Sequence, residues 1–308
     1  MDGPHVICQG PEFGEGPVWC PPGAGEPEGT LVCTSVAGGT LERVWPESGR
    51  RESIADTGGG ANGAALAADG GFLVTQNGGI DFSVFEIFGQ LPPPRYVQPG
   101  LQRVTPDGAV SYLTPDTMQQ PNDLCVAADG TVYFTDPKWP TPEPASGRIF
   151  ALDPATAEGG ATLRLVADGF WAPNGIILDV DGETLIVVEN GLHGEHHGFV
   201  RLHPDDPDGS REMFAPGRGG DGGAIDVDGR IYMAGGGHVV TIYEPDGTVV
   251  EVLQSPGDHP VSTNLCFGGD DLRTLFAVDG GAPGHVYCWT GMPTPGRPLH
   301  PWPDRPGI

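Results

Sequence analysis

The chain is poor in basic residues: 15 Lys and Arg stand against 41 Asp and Glu in 308 residues, a formal net charge of −26. Without a cluster of positive charge, the chain lacks the surface that nucleic acids and anionic membranes require. It also contains no run of about 18 apolar residues that could span a bilayer. We therefore expect no nucleic-acid or membrane partner, whereas a cationic ligand such as a divalent metal is compatible with this surface.

Two further features are missing. The N-terminus, Met-Asp-Gly-Pro-His, has no basic segment followed by an apolar one, so we predict no signal peptide and a cytoplasmic location. No Cys-x-x-Cys spacing occurs, so we expect reduced structural thiols rather than a zinc site. The six cysteines are Cys8, Cys20, Cys33, Cys125, Cys266 and Cys288.

Helical periodicity is almost absent, and the 51 Gly and 33 Pro are spread between short apolar runs. A unit recurs instead: a polar residue, an apolar run, a turn of the Asp-Gly type, and an alternating run typical of a β-strand. NDLCVAADGTVYFT from Asn122 and NGIILDVDGETLIV from Asn174 are its clearest copies. The pattern indicates a turn-rich, all-β protein.

The unit occurs six times, with second-strand positions that lie 41 to 60 residues apart. These positions are Leu31, Phe72, Val132, Leu185, Ile231 and Leu275. Such a spacing is that of a four-stranded propeller blade with variable loops. We predict a single domain over residues 1–308, a six-bladed β-propeller with a Pro-rich tail at 290–308. The last copy lacks a clear fourth strand, which the run from His5 to Cys8 would supply.

The first strand of a blade lines the central channel, so the polar residues that lead the repeats should ring one mouth of it. They are Glu15, Asn62, Asn122, Asn174, Asp221 and Asn264. Oxygen ligands that include two carboxylates suit a hard divalent cation. We expect one such ion, Ca²⁺ first and Mg²⁺ or Mn²⁺ next, although Zn²⁺ also binds carboxylate and amide ligands.

The motifs Glu15-Gly-Pro-Val-Trp, Pro121-Asn-Asp, Pro173-Asn-Gly, Asp221-Gly and Thr263-Asn-Leu-Cys-Phe-Gly-Gly resemble those of the SMP-30/gluconolactonase/LRE family. The resemblance runs from about residue 10 to about residue 290. It implies a six-bladed propeller that holds one catalytic divalent cation and hydrolyses lactones. By position, it implies that Glu15, Asn174 and Asp221 are metal ligands and that Asp221 is also the general base. Asn122 would be a further ligand or a substrate contact.

The substrate is less defined than the reaction. The animal branch of the family has Arg two residues before the Asn of blade 3, and this chain has Gln120 there. The ring substituent that is recognised therefore stays open, with a sugar lactone as the default substrate. We expect substrate contacts from Asn62, Asn122, Gln120, Asn264 and His259, in a monomer or small homo-oligomer.

Two alternatives remain at this stage. The same oxygen ligands resemble those of a diisopropylfluorophosphatase-type phosphotriesterase, and a non-hydrolytic propeller enzyme or calcium-binding module would also use such a site. Three segments are further candidates for the mouth: the stretch His193–His197, Lys138-Trp139, and the insertion Asp81–Gly100. Through Phe82, Phe85 and Phe88 this insertion would form either a lid over the mouth or an aromatic patch packed on the blade edge.

Overall fold

The computed structural model describes residues 1–23, 28–84, 90–155, 160–191 and 196–300. Within these ranges the chain forms six antiparallel four-stranded sheets, each a blade of a β-propeller, so the predicted fold is confirmed. A short helix, α1 (Pro207–Ser210), and a 3₁₀ turn at Phe82–Val84 interrupt the strands. No helix in the described part of the chain is long and apolar enough to cross a membrane.

Blades 1 to 3 are built from consecutive strands. Blade 1 contains β2 (Gly14–Cys20), β3 (Thr30–Ser35), β4 (Thr40–Trp45) and β5 (Arg50–Asp56). Blade 2 contains β6 (Ala61–Leu66), β7 (Phe72–Gln76), β8 (Gly100–Val104) and β9 (Val110–Tyr112). Blade 3 contains β10 (Leu124–Val126), β11 (Val132–Asp136), β12 (Gly147–Asp153) and β13 (Thr162–Phe170).

Blades 4 and 5 follow the same order. Blade 4 contains β14 (Pro173–Leu178), β15 (Leu185–Asn190), β16 (His197–Leu202) and β17 (Glu212–Pro216). Blade 5 contains β18 (Gly223–Ile225), β19 (Ile231–Gly235), β20 (Val239–Tyr243) and β21 (Val249–Gln254). All six positions that we predicted to lie in second strands do so.

The N-terminal strand closes the ring, as predicted. Blade 6 contains β22 (Ser262–Gly268), β23 (Thr274–Asp279) and β24 (His285–Thr290), and its fourth strand is β1 (Asp2–Gln9). His5 pairs with Cys288 in this antiparallel contact. One blade therefore combines both ends of the described chain, which ties the ring together.

The core lies between the blades. Each pair of neighbouring blades encloses one apolar cluster, so both faces of the second strands are buried and these strands read as continuous apolar runs. At the seam between blades 1 and 6, Trp19 stacks on Phe276 with ring centroids 5.3 Å apart. The cysteines belong to this packing: all six are free thiols. Burial raises the pKa of Cys8 and Cys288 to about 11, so these thiols stay protonated at neutral pH.

Candidate active site

The six oxygen-bearing residues that lead the repeats lie at the same end of their blades. They are Glu15 in β2, Asn62 in β6, Asn174 in β14, Asn264 in β22, and Asn122 and Asp221 just before β10 and β18. All are buried except Asp221, which is half-buried. The positions that we aligned across the six repeats in the sequence are thus equivalent positions in, or just before, the first strands of the six blades.

Bulges disturb the first strands at these positions. The pairing register slips between Glu15 and Val18, between Ala61 and Ala64, and between Pro173 and Ile176. In blade 3, Asn122 N donates to Thr135 O at 2.9 Å and Thr135 N donates to Asp123 O at 3.0 Å, so two residues oppose one. A bulge re-aims side chains that strict alternation would send to opposite faces. In this way Asp123, which follows the predicted residue Asn122, reaches the channel.

Threonines in the second strands tie these positions to the preceding blade. Each hydroxyl donates to the backbone oxygen of the lead residue in the next blade. The pairs are Thr34 to Asn62 at 2.6 Å, Thr75 to Asn122, and Thr135 to Asn174 at 2.7 Å. Because each of these hydrogen bonds crosses a blade interface, they fix the lead residues of neighbouring blades relative to one another.

The close approach of the first strands depends on glycine. Gly16 has φ of 44°, and a Cβ on it would lie 2.5 Å from both Ala64 N and Asn62 O. We expect Gly16→Ala to lower the free energy of unfolding by about 3 kcal/mol or more, because neither backbone can yield. Gly70 is the matched control: its φ is 85° with no heavy atom within 4 Å of the added carbon. Gly70→Ala should cost about 1 kcal/mol, and equal losses in denaturant titrations would contradict the packing argument.

Three carboxylates, Glu15, Asp123 and Asp221, meet at this mouth of the channel. Asn264 Nδ2 donates to Glu15 Oε2 at 3.0 Å and to Asp123 Oδ2 at 3.3 Å. Its own Oδ1 accepts a hydrogen bond from Leu265 N at 2.8 Å, which fixes the amide with its NH₂ group toward the carboxylates. One amide from blade 6 therefore bridges blades 1 and 3.

Burial makes the negative charges of this cluster costly. Burial first, then the charges of Asp221 and Asp123, raises the pKa of Glu15 well above its usual value. Burial also raises the pKa of Asp123 to about 6. For Asp221, burial and the charge of Asp123, opposed by a hydrogen bond from Asn174, raise the pKa to about 7. The three groups are ionised together at low cost only beside a positive charge.

Two amide oxygens complete the case for a cation. Asn62 Oδ1 and Asn174 Oδ1 are buried and have no hydrogen-bond partner among the described residues. A buried acceptor without a donor is expensive, and a cation satisfies it. The carboxylates and amides at this mouth offer oxygen atoms only, which fits Ca²⁺, Mg²⁺ or Mn²⁺.

A cleft of about 430 Å³ opens beside Asp221. Asn174, Asn190, His197, Gly220 and Val261 contribute to its wall. Asn190 Nδ2 donates to Gly220 O at 2.7 Å, which holds the chain just before Asp221. His197 is the last residue of the histidine-rich stretch, of which His193 lies outside the described residues.

The opposite end of the channel is apolar and covered. A cavity of about 90 Å³ lies below the carboxylates, and the segment 297–300 forms part of its lining. Arg297 donates to the backbone oxygens of Leu178 and Asp179, and Arg297 N donates to Ile225 O at 3.0 Å. Residues 297–300 thereby lie across blades 4 and 5 at this end of the channel.

The remaining candidates are placed around the mouth. Gln120 N donates to Asp136 Oδ1 at 2.8 Å, and its side-chain oxygen accepts from Trp139 N, so it braces the loop that precedes the blade 3 site. His259 Nδ1 lies 2.7 Å from Asp279 Oδ1. These contacts leave the predicted substrate role of both residues untested.

The predicted lid leaves blade 2 between β7 and β8. Phe82 begins it in a 3₁₀ turn and packs against Phe13, with ring centroids 4.4 Å apart. Phe85 and Phe88 lie outside the described residues. The insertion is thus anchored at its start by an aromatic contact with the loop before β2.

The chain is similar in sequence to known proteins. The family described as SMP-30/Gluconolactonase/LRE-like region matches residues 13–278. A pentonolactonase, XacC, from Haloferax volcanii is 29% identical over 91% of this chain and 86% of its own length. A gluconolactonase from Zymomonas mobilis is 28% identical over 60% of this chain and 62% of its own.

Solved structures agree on the fold. A gluconolactonase from Xanthomonas campestris superposes with a TM-score of 0.70 at 23% identity, covering 93% of this chain and 88% of its own. A calcium-binding protein, regucalcin, from Agrobacterium tumefaciens gives 0.71 at 20% identity, covering 96% and 95%. With the family match spanning most of the chain, the protein belongs to the SMP-30/gluconolactonase/LRE-like family.

Proposed function

We propose that this protein is a divalent-metal-dependent lactonase that opens sugar lactones. One observation carries the proposal: three carboxylates, two of them buried, and two buried amide oxygens without a hydrogen-bond partner among the described residues meet beside a cleft that is large enough for a sugar ring. The relatives named pentonolactonase and gluconolactonase support a lactone as the substrate.

The ligands in this proposal are those that the family resemblance implies. Glu15, Asn174 and Asp221 would hold the cation, with Asn122 as a further ligand or a substrate contact. Asn264 keeps Glu15 in place through its 3.0 Å hydrogen bond. A bound divalent cation supplies Lewis-acid polarisation of the lactone carbonyl.

Asp221 carries the proton transfer in this proposal. Without a cation, burial raises its pKa to about 7, and a bound cation would lower that pKa, so the carboxylate is ionised and able to accept a proton near neutral pH. Water attacks the carbonyl carbon while Asp221 accepts one of its protons. The bond between that carbon and the ring oxygen then breaks, and Asp221 returns the proton to the departing oxygen. The product is the open-chain hydroxy acid.

Side chains in the wall of the cleft would recognise the hydroxyl groups of the sugar lactone. The imidazole of His197 and the amide of Asn190 lie on the same side as Asp221 and can bond sugar hydroxyls. Asn62 Oδ1, a buried acceptor without a partner among the described residues, is available to a substrate hydroxyl or to the cation. Gln120 and Trp139 form a braced rim on blade 3.

A panel of substrates tests the proposal. Acid release is followed for pentono- and gluconolactones, an unsubstituted aliphatic lactone and a phosphotriester, with EDTA and after return of Ca²⁺, Mg²⁺, Mn²⁺ or Zn²⁺. We expect turnover of a sugar lactone that EDTA abolishes and one of these cations restores. Cation binding without turnover of any lactone would contradict the assignment, and turnover of the phosphotriester alone would replace it by the phosphotriesterase alternative.

A further inference from the structure

A second group of metal-ligating side chains lies apart from the carboxylates, at the junction of blades 5 and 6. His259, Asp279 and His285 place one ligand atom each within 4.8 Å of one another. His259 Nδ1 lies 2.7 Å from Asp279 Oδ1, and His285 Nδ1 lies 2.9 Å from Asp279 Oδ2. A third imidazole, that of His238 in the turn between β19 and β20, brings its Nε2 to 3.4 Å from Asp279 Oδ2.

Hydrogen bonding explains only part of this cluster. The Asp279 carboxylate can accept from His259 and from His285, but the two Nδ1 atoms of these histidines also face each other at 3.2 Å. His238 is 7% exposed, and neither of its ring nitrogens forms a hydrogen bond within the described part of the chain. Its backbone has φ of 56°, an uncommon conformation for a residue other than glycine. Its one polar contact is the 3.4 Å approach to Asp279, and a buried imidazole without a hydrogen bond is costly, so the cluster lacks one component.

The distances among three of these groups are compatible with one shared ion. Zn–N and Zn–O bonds of about 2.0–2.1 Å place the ligand atoms of a tetrahedron about 3.3 Å apart. His259 Nδ1 and His285 Nδ1 are 3.2 Å apart, and they lie 2.7 and 2.9 Å from the oxygens of Asp279. Asp279 is fully buried, whereas 19% of the His259 side chain is exposed, which leaves a path for the ion.

An outer contact ties the closing strand to this cluster. Gln9 on β1 places its side-chain nitrogen Nε2 3.1 Å from His285 Nε2.

We propose that His259, Asp279 and His285 form a site for Zn²⁺ or a similar nitrogen-preferring transition metal, with the imidazole of His238 next to it. Two imidazoles and one carboxylate favour such ions over Ca²⁺, in contrast to the oxygen-only donors of the carboxylate cluster. The ion would join the loop between β21 and β22 to β23 and β24, and Gln9, 276 residues away from His285, contacts the site from the closing strand. Its role is a clamp across the seam of the ring.

Zinc binding in the presence of excess Ca²⁺ tests the site. The full chain is stripped with EDTA and equilibrated with micromolar Zn²⁺ and millimolar Ca²⁺, and bound zinc is counted by mass spectrometry. We expect one Zn²⁺ per chain for the wild type and none for His259→Ala/His285→Ala. Zn²⁺ should also raise the thermal midpoint of the wild type by about 3–5 °C.

Matched variants distinguish this site from zinc bound at the carboxylate cluster or at an exposed histidine. His5→Ala removes an exposed histidine elsewhere on β1, and Asp221→Asn alters the carboxylate cluster, so both should keep the Zn²⁺. The conservative His259→Gln covers the case in which the double variant fails to fold. The proposal is wrong if the wild type binds no Zn²⁺ beside Ca²⁺, if His259→Gln retains full affinity, or if Asp221→Asn removes the zinc.

Discussion

Asp221→Asn lowers kcat/KM for lactone opening by about 10³-fold in our account, the largest effect that we expect from a single substitution. Loss of a general base alone costs about 10²- to 10⁴-fold, and this change also removes one of the charges that would hold the cation. The amide has the same size as the carboxylate, so the fold should be kept. The measurement is steady-state kinetics at saturating cation, with cation affinity from calorimetry.

Asp129→Asn is the control for this substitution. Asp129 lies in the exposed turn between β10 and β11, where its Oδ1 accepts from Thr131 N at 2.9 Å. Activity within about twofold of the wild type is expected, since the charge change is the same but distant from the mouth. If Asp221→Asn kept more than a tenth of the wild-type activity, Asp221 would not be the base.

The second large effect is a loss of stability with rising pH once the cation is removed. Asp123 and Asp221 have folded-state pKa values of about 6 and about 7, raised chiefly by burial from 3.8. Between pH 3.8 and its folded-state pKa, each of these carboxyl groups keeps a proton in the folded chain that it has released in the unfolded chain. Stability is therefore fully present below about pH 4, falls as the pH rises toward 7, and then levels off. The thermal midpoint in EDTA should be on the order of 5 °C lower at pH 8 than at pH 5.

The double variant Asp123→Asn/Asp221→Asn isolates this effect from the titration of other groups. In EDTA the double variant should not show this part of the loss of stability with rising pH. At pH 8 its thermal midpoint should be higher than that of the wild type, because two negative charges that burial makes costly are gone. Calcium should stabilise the wild type more at pH 8 than at pH 5. If the thermal midpoint of the double variant depended on pH as that of the wild type does, the ionisation of these two carboxylates would not be the cause of the pH dependence.

The fold followed from the sequence because propeller blades repeat. An Asp-Gly turn between apolar runs fixes a hairpin, and the equal order of strands in every copy placed Glu15 and Asn174 in the first strands. The closing role of β1 was predictable because the last repeat lacked a strand.

The site was less predictable, for local reasons. Asp123 escaped prediction because one lead residue per repeat was taken, while a bulge in blade 3 lets its neighbour approach the channel as well. His238 meets Asp279 only through the packing of blade 5 against blade 6, which no spacing in the sequence encodes. The course of the tail near Arg297 likewise depends on contacts with distant backbone oxygens.

A cation at the carboxylate mouth underlies both the proposed reaction and the expected pH dependence, and anomalous diffraction from a crystal soaked in Mn²⁺ tests it most directly. We predict the strongest anomalous peak between Glu15, Asn174 and Asp221, within bonding distance of all three side chains. A peak confined to the cluster of His238, His259, Asp279 and His285, or no peak at the carboxylates at a saturating Mn²⁺ concentration, would contradict this prediction.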